Sequence, residues 1–175
     1  MERAAGREET ALSDLREGVV GETSVWLADG RHIPIEELVG STRRVFAMAA
    51  DGRIVIATTE RIGFQGTQSV RWVGLASGRS LTVTPGHRFY TALGWQRVAD
   101  IPVGERLRVL TSLCDTEETT ELFWDRIEFN QRAGEAEVFD LTVPGPRSWF
   151  SNGVVSHNSC AIEQDADVIQ MIDGV

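Results

Sequence analysis

Residues 69–98 read SVRWVGLASGRSLTVTPGHRFYTALGWQRV. β-Branched and aromatic residues fall in short runs, with the turn pairs Ser77-Gly78 and Leu93-Gly94 at the breaks. The same texture extends upstream through TSVWLADGRHIPI and RRVFAMAADGRIVIATT and reappears downstream in EVFDLTV and VVSH. Asp29-Gly30 and Asp51-Gly52, each between strand-like runs, predict tight hairpins, because both residue types tolerate the positive φ such turns require. Short strands at this spacing, with hardly a helix among them, predict an all-β fold. The exception is Ile35 to Val39, IEELV, which reads as a single helical turn. Later, ELFWDRIEFN predicts a β passage leading into EAEVFDLTV, and Thr111 to Thr120, TSLCDTEETT, reads as an exposed loop.

The chain has 175 residues, 42% apolar and 25% charged, which suits one domain with a sizeable core. Its net charge is −9, and all 17 basic residues are arginine. That acidic balance argues against non-specific nucleic-acid binding, which rests on clustered positive charge. Residues 1–17 hold five acidic and three basic side chains, and residues 159–175 hold four acidic and none basic. Residues 1–17 read as an appendage, and SCAIEQDADVIQMIDGV resembles neither the β-rich middle nor a linker. No apolar run approaches the roughly 20 residues that span a bilayer. The opening MERAAGREET is charged from the outset, so neither a signal peptide nor a membrane anchor is expected and a cytoplasmic setting is the expectation. Cys114 and Cys160 are too few for a disulfide framework and lack zinc-ligand spacing, so no metal or other cofactor is expected.

Three histidines narrow the search for chemistry. His32, in DGRHIPI, reads as an exposed strand residue. His87 lies in Thr84-Pro85-Gly86-His87, and His157 immediately precedes Asn158-Ser159. An Asn side-chain amide can attack its own backbone carbonyl, closing a succinimide and cutting the chain after itself. The reaction is slow in free peptides and needs a proton donor for the leaving amine and a donor for the oxyanion. His157 is adjacent and titrates near neutrality. Taken alone, His-Asn-Ser usually marks a turn; other motifs give it meaning.

From Gly18 to Asn158 the chain resembles the Hint fold of inteins, the self-excising protein-splicing elements. GVVGETSVWLADGRHIPIEELVG is similar to the family's opening motif, SLTVTPGHRFYTALGW to the motif with a Thr-x-x-His pair, and EVFDLTVPGPRSWFSNGVVSHNS to the two fused closing motifs. The resemblance implies a horseshoe-like β-fold with short hairpins. Only about 30 residues separate Arg106 from Val138, far short of a homing-endonuclease domain, so a mini-intein is implied. Joining residues up to Glu17 to Ser159 gives ALSDLRE-SCAIEQDADVIQMID, which resembles the core of bacterial replicative DNA helicases. The implied organisation is a helicase flank at 1–17, the element at 18–158 and a second helicase flank at 159–175.

The family's mechanism implies a role for each matching residue. Thr84 and His87 would strain and polarise the Glu17–Gly18 bond, Asp140 would assist as acid or base, Ser159 would accept the acyl group, and His157 with Asn158 would make the final cut. Gly18 breaks the pattern because it offers no nucleophile. Three readings stay open: a substituted residue that traps the precursor, direct attack by Ser159, or the subgroup with an internal Cys where Asp140 stands. For the last, Trp95 fits, Ser156 is a near match and Asp140 does not fit. Cys160, beside Ser159, is a candidate oxidation sensor. Splicing is a single-turnover reaction of the chain on itself, with no nucleic acid or membrane partner. The excised element is expected to be monomeric and the host helicase hexameric. The alternatives are a cleavage-only Hint domain and a non-catalytic β-module inserted in a helicase.

Overall fold

A computed structural model describes residues 16–111 and 122–158. Its strands are β1 (Val19–Val20), β2 (Ser24–Trp26), β3 (His32–Pro34), β4 (Arg44–Met48), β5 (Ile54–Thr58), β6 (Arg61–Leu75) and β7 (Ser80–Val83). They continue as β8 (Arg88–Thr91), β9 (Gly94–Arg97), β10 (Arg106–Leu110), β11 (Leu122–Thr142), β12 (Ser148–Ser151) and β13 (Val154–His157). Three turn pairs fall between paired strands: Asp29-Gly30 between β2 and β3, Asp51-Gly52 between β4 and β5, and Ser77-Gly78 between β6 and β7; the fourth turn is Ala92-Leu93, with Gly94 already opening β9 opposite Thr91. The local chemistry repeats. Asp51 Oδ1 accepts the Arg53 N–H at 3.1 Å, as Asp29 Oδ1 accepts the Arg31 N–H at 3.0 Å. The expected helical turn is a 3-10 turn over Ile35–Leu38 that buries Ile35 and Leu38.

Eleven strands form one antiparallel sheet in the order β1-β7-β6-β11-β10-β8-β13-β12-β2-β3, with β9 on β8. The sheet closes on itself, since β1 pairs with both β7 and β11 and β10 also pairs with β13. β4 and β5 make a separate hairpin. It is tied to the rest through a buried hydroxyl: Ser148 Oγ accepts the Met48 N–H at 2.9 Å and donates to the Met48 carbonyl at 2.8 Å.

Two features differ from expectation. Residues 122–142 form one continuous strand rather than two successive passages. Its partner β6 begins at Arg61 and runs through Gly63 and Gly66, a stretch the sequence texture does not mark as a strand. Pairing with a long partner supplies the backbone hydrogen bonds that weak local propensity does not, and register shifts at Ile127/Phe129, Arg132/Glu135 and Glu137/Phe139 absorb the irregularities. The segment TSLCDTEETT lies outside the described residues beyond Thr111.

Alternation along the sheet sets the core. Phe89, Trp149 and Phe150 are among the largest fully buried side chains. One cluster gathers Val19, Val83, Phe89, Leu107, Leu141 and Trp149, and a smaller one gathers Trp26, Leu110, Phe150 and Val155. Fully burying each large apolar side chain stabilises by roughly 1.5–3 kcal/mol. Val19 belongs to the first cluster, so burial of β1 fixes the start of the domain against β7 and β11.

The β12–β13 hairpin carries His157 at its end and turns through Asn152 (φ 50°) and Gly153 (φ 86°). Asn152 Oδ1 accepts from the Ser24 N–H at 2.8 Å and the Ser24 hydroxyl at 2.9 Å, which locks the turn to β2. A Cβ at Gly153 would sit 2.8 Å from Trp26 Cζ2, on an indole that is itself buried. Gly153→Ala therefore combines left-handed strain with a core clash. It should lower stability by about 2–3 kcal/mol and Tm by roughly 5–10 °C; an unchanged melting curve contradicts this placement.

Candidate functional site

The upstream end of the element is gripped by Thr84. Its hydroxyl donates to the Arg16 carbonyl at 2.7 Å and its N–H donates to the Gly18 carbonyl at 3.0 Å, so one residue holds the carbonyls on either side of that of Glu17. Thr84 sits one residue beyond β7, in register with β1, because Val19 pairs with Val83. The turn that follows is firm: the His87 N–H bonds the Thr84 carbonyl at 3.0 Å and the Val98 N–H bonds the His87 carbonyl at 2.8 Å.

His87 is fully buried. Its Nε2 meets Ser156 Oγ at 3.0 Å, and its Nδ1 has no hydrogen-bond partner among the described residues. Ser156 continues to Ser151 through a short hydroxyl contact, and Ser151 Oγ donates to the Val154 carbonyl at 3.3 Å. Burial pushes the His87 pKa down to about 4, opposed by the Glu17 carboxylate and reinforced by His157 and Arg88 nearby. The imidazole is thus neutral at pH 7, with one ring nitrogen engaged and the other buried and unused.

At the downstream end, β13 hands His157 and Asn158 to a cradle made by residues 143–147. The Asn158 N–H donates to the Arg147 carbonyl at 3.0 Å. Its carboxamide lies between that carbonyl and the Val143 N–H. The orientation satisfying both puts Nδ2 on Arg147 O at 3.1 Å and Oδ1 on Val143 N at 2.8 Å. Arg147 adopts φ 60°, an uncommon value for a residue with a side chain, and this aims its carbonyl at Asn158. The Trp95 ring meets His157 edge to face at 4.9 Å, so Trp95 is part of the site.

The two ends are joined by Glu17, whose side chain is only 3% exposed. Its Oε2 accepts the Arg88 N–H at 3.1 Å and Arg88 Nε at 3.0 Å. Its Oε1 lies 3.3 Å from Arg88 Nη2 and 3.2 Å from His157 Nδ1, and Nη2 lies 3.1 Å from that same Nδ1. β8 and β13 are paired at Phe89 and Ser156, so His87 meets Ser156 while Arg88 meets His157.

Of the residues expected from sequence, Thr84 and His157 contact residues 16–18 directly, Trp95 packs on His157, His87 meets Ser156, and Asn158 sits in the cradle of Val143 and Arg147. Asp140 lies on β11, one residue beyond Phe139, which pairs with Val19. Its Oδ1 accepts from Gln65 Nε2 at 3.1 Å. Ser159 and Cys160 lie outside the described residues. His32 stacks on Trp26 at 4.1 Å, away from this site, as a structural residue of β3. Sequence reading missed Arg88, Arg147 and Ser151. Only Arg88 leaves a trace, a lone cation directly after His87 in the strand RFYT. The groups of Arg147 and Ser151 that matter here, a carbonyl and a hydroxyl, have no recognisable pattern.

A closed antiparallel sheet that sets a Thr-x-x-His turn beside its first strand and a terminal His-Asn at its last is a Hint-type splicing fold. The family model of the intein splicing domain matches residues 25–158. The chain is similar to the crystal structure of an Ssp DnaB mini-intein variant, at 28% identity and a TM-score of 0.76, covering 83% of this chain and 95% of that one. It is likewise similar to a DnaB intein from Synechocystis sp. PCC 6803, at 26% identity and a TM-score of 0.75, covering 82% and 99%. Among curated proteins it is 37% identical over 111 residues to the replicative DNA helicase DnaB of Rhodothermus marinus, covering 61% of this chain but 12% of that helicase. The chain belongs to the intein splicing-domain family, and its function is autocatalytic protein splicing.

His87 also yields a stability prediction. The native state keeps it neutral down to about pH 4, whereas an unfolded imidazole takes up its proton near pH 6.5, so the unfolded chain binds more protons across that window. Stability contributed by His87 is present above pH 6.5 and lost as pH falls through the window, by about 3 kcal/mol at its lower limit. Urea denaturation at pH 7 and pH 5 should show this loss, and His87→Gln should flatten it; an equal slope in both proteins contradicts a buried neutral His87.

Proposed function

We propose that this chain excises residues 18–158 and joins the flanks 1–17 and 159–175, two fragments of a replicative DNA helicase, and that Gly18 makes it a slow or trapped precursor. The observation that carries the reading is the contact between the two ends. The side chain of Glu17, the last residue before one junction, lies 3.2 Å from Nδ1 of His157, next to the other junction. Acyl transfer between junctions needs such proximity, with reacting atoms roughly 3–3.5 Å apart. The helicase identity of the host is supported by the flanking sequence and by the curated relative. A hexameric, cytoplasmic host and a monomeric excised element follow from that same reading.

Each residue has a specific task. Thr84 fixes the backbone around the Glu17 carbonyl, leaving that carbonyl as the one to be attacked. Neutral His87 takes up a proton only transiently and, being a strong acid when protonated, gives it readily to the amine of residue 18 as the Glu17–Gly18 bond breaks. Ser159 then carries the acyl group. Asn158 Nδ2 attacks its own carbonyl carbon; the new C–N bond closes the succinimide, the Asn158–Ser159 bond breaks, and the proton lost from Nδ2 is balanced by the one gained by the Ser159 amine. The return of the acyl group to that amine leaves a normal peptide bond. Asp140, next to the Val19 partner Phe139 on β11, assists as acid or base at the first step.

Position 18 accepts a small side chain. A Cβ there would lie 3.3 Å from the Phe139 carbonyl and 3.4 Å from Val138, so a slight outward shift of β1 makes room. Intact mass spectrometry of this chain beside Gly18→Cys, both at neutral pH with reductant, should show the excised element and ligated flanks mainly from the Cys protein. Equal and rapid splicing of both contradicts the trapped-precursor reading and favours direct attack by Ser159. Asn158→Ala should abolish the cut at Asn158–Ser159 in either background; a persisting cut contradicts the succinimide step.

A further inference from the structure

Arg88 Nη2, Glu17 Oε1 and His157 Nδ1 form a triangle with sides of 3.3, 3.2 and 3.1 Å, and the protons on it can be counted. A guanidinium only donates and a carboxylate only accepts, so Nδ1 alone has a choice. If Nδ1 carries its proton, both Nη2 and Nδ1 donate to Oε1, and the one opposed contact is between the two donor nitrogens, 3.1 Å apart, whose hydrogens can both turn to Oε1. If Nδ1 is bare, it accepts from Nη2 but turns a lone pair on a carboxylate oxygen 3.2 Å away, inside a buried site where that repulsion is poorly screened. With Glu17 in place, neutral His157 is therefore the Nδ1–H tautomer, and its Nε2 is an acceptor. With Glu17 gone, the nearest group to Nδ1 is a permanent donor on Arg88; Nδ1 becomes an acceptor and the proton belongs on Nε2.

We propose that the Glu17 carboxylate, held by Arg88, fixes the tautomer of His157 and so holds back Asn158 cyclisation until the upstream flank has been transferred. Arg88 is then a positioning residue that reads an acidic side chain just before the junction, and it restores His157 once that side chain departs. The inference rests on the splicing reading above. The leaving Ser159 amine and the oxyanion at Asn158 both need a donor, and in the neutral ring only the Nε2–H tautomer offers one on the side of the ring away from Arg88. Acyl transfer to Ser159 detaches Glu17 from residue 18 and frees it to leave the triangle. Cutting at Asn158 before transfer would strand the upstream flank, so a substrate carboxylate that blocks the early cut orders the two steps. It also makes the element selective for the residue that precedes it.

The test is long-range 1H–15N correlation spectroscopy of the imidazoles at about pH 8, where an ordinary histidine is neutral, on this chain and on Glu17→Ala. Residue 17 precedes the first strand, so the variant keeps the core. The expected result is Nδ1–H at His157 in this chain and Nε2–H in Glu17→Ala. It should come with a cut at Asn158–Ser159 that is at least about a hundredfold faster in the variant, the lower end of the range for a general acid. The same tautomer in both proteins overturns the inference. A tautomer switch without a faster cut overturns the coupling of the steps. Splicing by Gly18→Cys with no tautomer difference would sink this inference alone, whereas failure of Gly18→Cys to cut at either junction would sink the splicing reading beneath it.

Discussion

A carboxylate buried at the meeting point of two strands governs this structure. Glu17 precedes β1, while Arg88 opens β8 and His157 closes β13, yet the three are in hydrogen-bond contact. An ionised carboxylate taken out of water is costly unless every lone pair is matched. Here the backbone N–H and guanidinium of Arg88 supply matching donors, and the imidazole of His157 lies against Oε1. The Arg88 side chain stays partly solvated, 26% exposed, so part of the charge is answered by water.

The closure of the sheet makes this contact possible. Val19 is wholly buried and pairs with Val83 on one side and Phe139 on the other, which leaves residues 16–18 no route except past Thr84. On the opposite side, β13 lies between β8 and β12, and its last residue emerges beside Arg88. Interlocked hydroxyls, Ser151 and Ser156, hold His87 from beneath, while residues 143–147 hold Asn158 from the far side. The chemistry is thus split between a neutral, dry histidine at one junction and a histidine coupled to charge at the other.

Much of this was legible in the sequence where the determinant is local. The hairpins at Asp29-Gly30, Asp51-Gly52 and Ser77-Gly78 need only a residue pair and its neighbours and form where that pair stands, while the one expected at Leu93-Gly94 turns one residue earlier, at Ala92-Leu93. Thr84, His87, His157 and Asn158 were readable as spaced motifs. What escaped depends on partners distant in the chain. The strand through Gly63 and Gly66 exists because residues 137–142 lie beside it, and nothing in ERIGFQGTQ announces that pairing. Arg88 becomes functional through a carboxylate 71 residues earlier, and Arg147 through a carbonyl, a group every residue carries. Asp140 follows Phe139 on β11, the residue that pairs with Val19, and its carboxylate accepts from Gln65, which comes from β6.

The claim on which the account turns is that Glu17 and Arg88 interact directly in the folded protein and so tie the upstream flank to the downstream histidine. A double-mutant cycle on unfolding free energy, using Glu17→Ala, Arg88→Ala and the pair, measures that interaction without requiring any splicing. A coupling of at least about 1 kcal/mol is expected for a charge pair in one hydrogen-bonded network, together with reduced coupling when His157 is also replaced. Additive effects, with coupling indistinguishable from zero, would contradict it.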